Sequence, residues 1–171
     1  MRSWQIILTS MAMVLVLGGP AHADFDAGWQ AYQKGDFSGA LKAWRPMADA
    51  GDARSQFNLG AMYEQGRGVD ADPAAAVSWW RKAAASGYVR AQHNLASSLI
   101  AGDGVTQDYG AAIKWLTMAS EQGFARSQYK LGKMYSYGLG APKDQSKAFH
   151  WFREAAGQGM VKAQYNLGKM Y

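Results

Sequence analysis

The chain has 171 residues, with 18 Lys and Arg against 13 Asp and Glu for a net charge of +5, three histidines and no cysteine. The lack of cysteine excludes a disulfide framework, a thiolate nucleophile and a thiolate metal site. The positive charge is mild and forms no basic run longer than two residues, which argues against a nucleic-acid binder.

The first segment reads as an export signal. Arg2 supplies a positive start, Trp4 to Leu17 is largely apolar, and Ala21-His22-Ala23 offers the small-x-small pattern of a signal peptidase site. Cleavage is expected between Ala23 and Asp24, making residues 1–23 a signal peptide and sending residues 24–171 to the periplasm or out of the cell. The apolar core, Ile6 to Leu17, is shorter than the roughly 18–20 residues that span a bilayer. A short stretch over about residues 25–35 follows. Its turn through Gly35-Asp36 is more compact than the later connections, as suits a half-unit capping a stack.

From Asp36 onward a 36-residue period dominates. Glycines recur at Gly51, Gly87, Gly123 and Gly159, glutamines at Gln56, Gln92, Gln128 and Gln164, and leucines at Leu59, Leu95, Leu131 and Leu167. A period in this range signals stacked supersecondary units. About four units fit, the last one incomplete at Tyr171, in the position of Tyr63 and Tyr135.

Asp72 to Gly104 illustrates one unit. Asp72-Pro73 opens a helix, with the carboxylate capping free N–H groups and proline tolerated in the first turn. Asp36, Asp108 and Asp144 share this register. Ala76, Val77, Trp80, Ala83 and Ala84 form an apolar face, and the helix stops near Gly87. A second helix runs from about Arg90 to Ala101, with Leu95, Leu99 and Ala96 inward, before Gly102-x-Gly104 turns the chain. Gly60, Ala96, Gly132 and Gly168 hold a small-residue register, and Trp44, Trp80, Leu116 and Phe152 a large one. The expected core is Trp44, Leu59, Tyr63, Trp80, Leu95, Leu99, Leu116, Leu131, Tyr135, Phe152 and Leu167.

The segments Ser55–Val69, Ala91–Val105 and Ser127–Ala141, paired with Ala76–Gly87, Ala111–Gly123 and Ala148–Gly159, resemble the Sel1-like repeat family, a branch of the tetratricopeptide-like solenoids. The resemblance covers roughly residues 26–171. It implies an all-α, right-handed solenoid of antiparallel helix pairs that acts as a scaffold for protein complexes, with no cofactor. By analogy with tetratricopeptide proteins, the helices at Arg54–Gln65, Arg90–Ala101 and Arg126–Tyr137 line the concave side, and Lys162–Tyr171 continues it.

Three rows then face a partner: Arg54, Arg90, Arg126 and Lys162; Phe57, His93, Tyr129 and Tyr165; and Asn58, Asn94, Lys130 and Asn166. Asparagines can hydrogen-bond a peptide backbone, basic residues can meet acidic groups, and aromatics add contact area at small entropic cost. The candidate peptide site is therefore Arg54, Asn58, Arg90, His93, Asn94, Arg126, Tyr129, Lys130, Lys162 and Asn166. The simpler alternative is that the arginines solvate helix starts and the asparagines tie neighbouring turns. The partner expected is a protein or peptide, in association with an envelope complex, with neither nucleic acid nor metal involved.

Catalysis has little support in the sequence. Ser127-Gln128-Tyr129-Lys130 matches an S-x-x-K pattern, but no K-T-G or S-D-N accompanies it. Some cysteine-rich relatives in the family are linked to β-lactams, and this chain lacks their cysteines. The alternatives to a scaffold are a glycan- or cell-wall-binding module using Trp29, Tyr129 or Tyr137 and, more remotely, a β-lactam hydrolase acting through Ser127.

Overall fold

The computed structural model describes residues 20–171, with side chains from Phe25 onward. Of the expected signal segment, residues 1–19 lie outside the described residues, and the last four form the first turn of a helix. Nine helices and no strand occur among the described residues: α1 (Pro20–Gln33), α2 (Phe37–Asp49), α3 (Ala53–Gln65), α4 (Pro73–Ala85), α5 (Val89–Ala101), α6 (Tyr109–Glu121), α7 (Ala125–Tyr137), α8 (Gln145–Gly157) and α9 (Val161–Gly168). Each packs chiefly on its neighbours in sequence, as an α-solenoid requires. None is long and apolar enough to cross a membrane.

The even-numbered helices start as their sequences dictate. Asp36, Asp72, Asp108 and Asp144 accept from the backbone N–H groups of Gly39, Ala75, Ala111 and Lys147 at 2.8, 2.9, 2.8 and 2.9 Å. Each such cap contributes about 1 kcal/mol. Asp52 caps α3 in the same way, through Ser55 N–H at 2.7 Å. By contrast α5, α7 and α9 follow Tyr88, Phe124 and Met160, which form no side-chain cap.

The closest packing joins α1 to α2, α3 to α4, α5 to α6 and α7 to α8, across the turn that includes the Gly-x-Gly pair in all but the first. The tightest hairpin therefore begins half a period before one counted from Asp72. The cause is a steric fit. A Cβ on Gly28 would fall within the indole of Trp44, one on Gly60 within that of Trp80, and one on Gly132 would lie 2.8 Å from the Phe152 ring. The indole N–H groups also donate to the backbone one turn earlier, Trp44 to Phe25 O at 3.1 Å and Trp80 to Phe57 O at 3.3 Å. Where Ala96 replaces glycine, its counterpart is the smaller Leu116, and both are fully buried.

Successive hairpins meet through the second glycine of each turn. A side chain on Gly68, Gly104 or Gly140 would collide with the backbone of Phe37, Pro73 or Tyr109, the first residue of α2, α4 or α6. These glycines also have φ of 72°, 68° and 77°, which disfavours any other residue. Arg67, between the first such pair, hydrogen-bonds the Tyr32 hydroxyl and so ties its turn to α1.

Trp44, Leu59, Trp80, Leu95, Leu99, Leu116, Leu131 and Phe152 are buried as expected. Tyr63, Tyr135 and Leu167 are only half-buried. The Tyr63 hydroxyl takes a 2.7 Å hydrogen bond from Arg45, and the Tyr135 ring carries the Lys147 ammonium 5.1 Å from its centroid, so both tyrosines keep a polar edge outward. Leu167 lies on α9, whose main contact is α8. The helix expected over Lys162–Tyr171 ends at Gly168, where Lys169 and Met170 N–H close tight turns on Tyr165, Asn166 and Leu167.

The glutamine register forms a ladder. Gln56, Gln92, Gln128 and Gln164 donate to Ala48, Ala84, Ser120 and Ala156 carbonyls at 3.0, 3.3, 3.1 and 3.4 Å. Gln122 and Gln158 donate in turn to the side-chain oxygens of Gln92 and Gln128, both at 2.8 Å. In the first such unit Ser86 stands at the Gln122 register, too short to reach. Gln56 Oε1 is accordingly buried with no partner among the described residues.

Three outcomes are expected for stability, all read by urea or thermal unfolding. Gly60→Ala should cost about 1–3 kcal/mol by overpacking against Trp80. Adding Trp80→Leu to it should cost less than the two single changes summed, because it recreates the Ala96–Leu116 pairing. Ser86→Gln should stabilise by about 1 kcal/mol by supplying the missing partner to Gln56.

Candidate functional site

The odd-numbered helices present a trough. One cavity of about 440 Å³ is lined by Phe57, Arg90, His93, Asn94, Phe124 and Arg126. A second, of about 360 Å³, shares Phe57, Arg90, Asn94 and Arg126 with it and continues past Asn58 to Trp29 and Tyr32. The shared walls make the two a single depression along α1, α3, α5 and the start of α7.

The structure brings Asn58, Arg90, His93, Asn94 and Arg126 together there. Arg90 and Arg126 are exposed and have no acidic or hydrogen-bonding partner among the described residues. Neither Asn58 nor Asn94 forms a side-chain hydrogen bond among them, so these asparagines do not tie neighbouring turns. Phe57 and Phe124 give the cavity an apolar floor between the charged groups.

The remaining candidates lie elsewhere. Arg54 stacks over the Phe25 ring at 4.1 Å, with the Asp52 carboxylate 3.9 Å away, and does not line the trough. Tyr129 packs on Phe152 and, with Lys130, lines a separate cavity of about 200 Å³. Lys162 and Asn166 are on α9, where Asn166 donates to Lys162 O at 2.9 Å and to the Tyr129 hydroxyl at 3.3 Å. Sequence reasoning missed Phe124, Glu64 and Gln65. Phe124 could have been found as one of the apolar residues, with Tyr88 and Met160, that precede uncapped helices. Glu64 shares its register with Ile100 and Ser136 and leaves no periodic signal.

His93 is held by its neighbours. Its Nδ1 is 2.9 Å from the Ser127 hydroxyl, and its ring meets Phe124 edge-on at 5.3 Å. Burial first, then the charges of Lys130 and Arg126, lower its pKa to about 4, so the ring is neutral at pH 7. Lys130 donates to the Ser97 hydroxyl at 2.7 Å, and burial, with Lys133 nearby, holds its pKa below the ordinary lysine value. Ser127 and Lys130 of the S-x-x-K match thus have different partners, and Ser127 is closed to solvent. Among the described residues no three His, Asp or Glu side chains gather as metal ligands.

The His93 shift sets a direction for pH dependence. Its folded pKa lies below the ordinary 6.5, so the unfolded chain binds the extra proton, and the contribution of neutral His93 is lost as pH falls from about 6.5 towards about 4. His93→Phe, the residue found at position 57 in this register, should flatten the fall in melting temperature across that window relative to wild type. Its stability at neutral pH should be lower, because Ser127 loses its partner.

The comparisons with known proteins agree with this architecture. The Sel1 repeat family model matches residues 53–88, 89–124, 125–160 and 161–171. The protective antigen c5321 of uropathogenic Escherichia coli, which displays an SLR fold, is similar at 36% identity and a TM-score of 0.87, over 90% of this chain and 34% of that one. A Sel1 repeat protein from Oxalobacter formigenes is similar at 29% identity and a TM-score of 0.82, over 86% of this chain and 60% of that one. Cysteine rich protein B of Helicobacter pylori shares the fold at 17% identity and a TM-score of 0.61, over 77% of this chain and 95% of that one. This chain thus spans about a third of the E. coli protein and three-fifths of the O. formigenes protein. No curated protein sequence matches it significantly. With its repeats matched from residue 53 to residue 171, the chain belongs to the Sel1 repeat family, whose members generally serve as protein-interaction scaffolds.

Proposed function

We propose that the protein is an exported scaffold whose trough holds an extended, acidic segment of a protein partner. The observation that carries this reading is the pair of exposed guanidinium groups, Arg90 and Arg126, above an apolar floor and beside Asn58 and Asn94, with none of the four side chains partnered among the described residues. Guanidinium groups bind carboxylates through paired, charge-assisted hydrogen bonds, and free asparagine amides can both donate to and accept from an extended backbone. The neutral His93 leaves its flat ring for packing, while Arg126 and Lys130 keep the local field positive. Export is supported by the N-terminal sequence pattern alone, with its site between Ala23 and Asp24.

In-cell cross-linking of the tagged full chain should capture a partner that Arg90→Ala/Arg126→Ala fails to capture, with a loss of at least about tenfold in affinity for the purified pair. Helical content should be unchanged, because both side chains are exposed. Equal capture by both proteins would move the site off the trough, and retention on peptidoglycan without a protein partner would favour a glycan-binding module. N-terminal sequencing of the protein recovered from its host should begin at Asp24, and an intact Met1 would reject export by cleavage.

A further inference from the structure

A third cavity, of about 190 Å³, opens off the trough and is lined by Glu64, Asn94, Ser97, Ser98, Ala101 and Asp103. Asn94 belongs to all three cavities and Glu64 to two of them, so the third continues the depression already described. Its chemistry is the reverse of that around the arginines. Glu64, near the end of α3, and Asp103, in the turn after α5, have no cationic partner among the described residues. Ser98 is 7% exposed, and its hydroxyl has no hydrogen-bonding partner among them either.

We infer that the trough is bipolar, and that Glu64, Ser98 and Asp103, beside Asn94, form a second subsite for a lysine or arginine side chain of the same bound segment. The inference rests on the trough reading above and specifies its ligand further. Two carboxylates, a hydroxyl and an amide oxygen can all accept, and Lys and Arg answer them with several donors, no acceptor and a permanent positive charge opposite the carboxylates. Burial, and next the charge of Asp103, hold the Glu64 carboxyl above the usual value, and a hydrogen bond from Gln65 offsets this only in part. An entering cation removes that repulsion.

The spacing of the two ends defines the ligand. Arg90 and Ser98 are eight residues apart on α5, about 12 Å at 1.5 Å per residue. An extended peptide covers that in about four residues at roughly 3.3 Å each. The segment should therefore carry a carboxylate and a basic side chain about four positions apart. Charge complementarity at both ends also fixes the direction in which it lies, which a single basic patch would not.

The test is selection of heptapeptides from a displayed random library on the full chain, run in parallel on Glu64→Gln/Asp103→Asn and on Arg90→Ala/Arg126→Ala. The wild-type pool should carry an acidic and a basic residue about four apart, and the Glu64→Gln/Asp103→Asn pool should keep the acid and lose the base. Acetylating the lysine of one synthetic winner should weaken binding to wild type about tenfold, the loss of one charge-assisted contact, and leave binding to Glu64→Gln/Asp103→Asn unchanged. A wild-type pool enriched in the acid alone would overturn the second subsite and leave the trough reading standing. A library yielding no peptide that depends on Arg90 and Arg126 would overturn both.

Discussion

The solenoid rests on a steric fit repeated between paired helices, in which a residue with little or no side chain on the odd-numbered helix lets a large ring or a leucine of the next helix lie across its backbone. Trp44 over Gly28, Trp80 over Gly60 and Phe152 over Gly132 bring the helix axes close enough to seal the seam. For the two tryptophans, a hydrogen bond to the backbone one turn back also fixes the ring's orientation. The contact adjusts to both residues, since a larger alanine at position 96 faces a smaller leucine at position 116. Interiors are packed densely enough that such volume exchanges have to be made together. Everything else, including the alignment of the charged rows, follows from hairpins built on one plan.

Between hairpins a different device operates. The second glycine of each turn sits directly on the first residue of an earlier even-numbered helix, so backbone meets backbone with no side chain between them. That contact sets the step from unit to unit, and the side-chain amides of Gln92 and Gln128 brace it by donating to the Ala84 and Ser120 carbonyls of the preceding hairpin. Long-range order in the array is thus made from short-range contacts, in a chain that has no cysteine to cross-link its 36-residue units.

Most of the fold was legible in the sequence because each of these devices recurs at the same interval. The aspartate caps, the small and large registers and the turn glycines could be read by stepping 36 residues. The first hairpin was harder to see. Gly28 and Trp44 are 16 residues apart, whereas Gly60 and Trp80 are 20 apart, because the turn between α1 and α2 is shorter, and a fixed interval passes over the pair. The site divides in the same way. Arg90, Arg126, Asn58 and Asn94 could be found by register, as could the apolar Phe124, whereas Glu64 and Asp103 matter because they differ from their counterparts. Arg54 shares the register of the other arginines but meets Phe25, a residue outside the periodic part of the chain.

That displaced arginine bears on a problem every periodic receptor faces. A surface made of identical teeth offers a long ligand several equivalent frames, and the ligand can slip from one to the next at no cost. Here the comb is not uniform. Its first tooth is folded back onto Phe25, its third row changes from asparagine to a tethered lysine at position 130, and the two arginines between have no partner among the described residues. Translational symmetry is broken at both sides of one frame, so the segment proposed for the trough would meet a single alignment in an array built from near-copies.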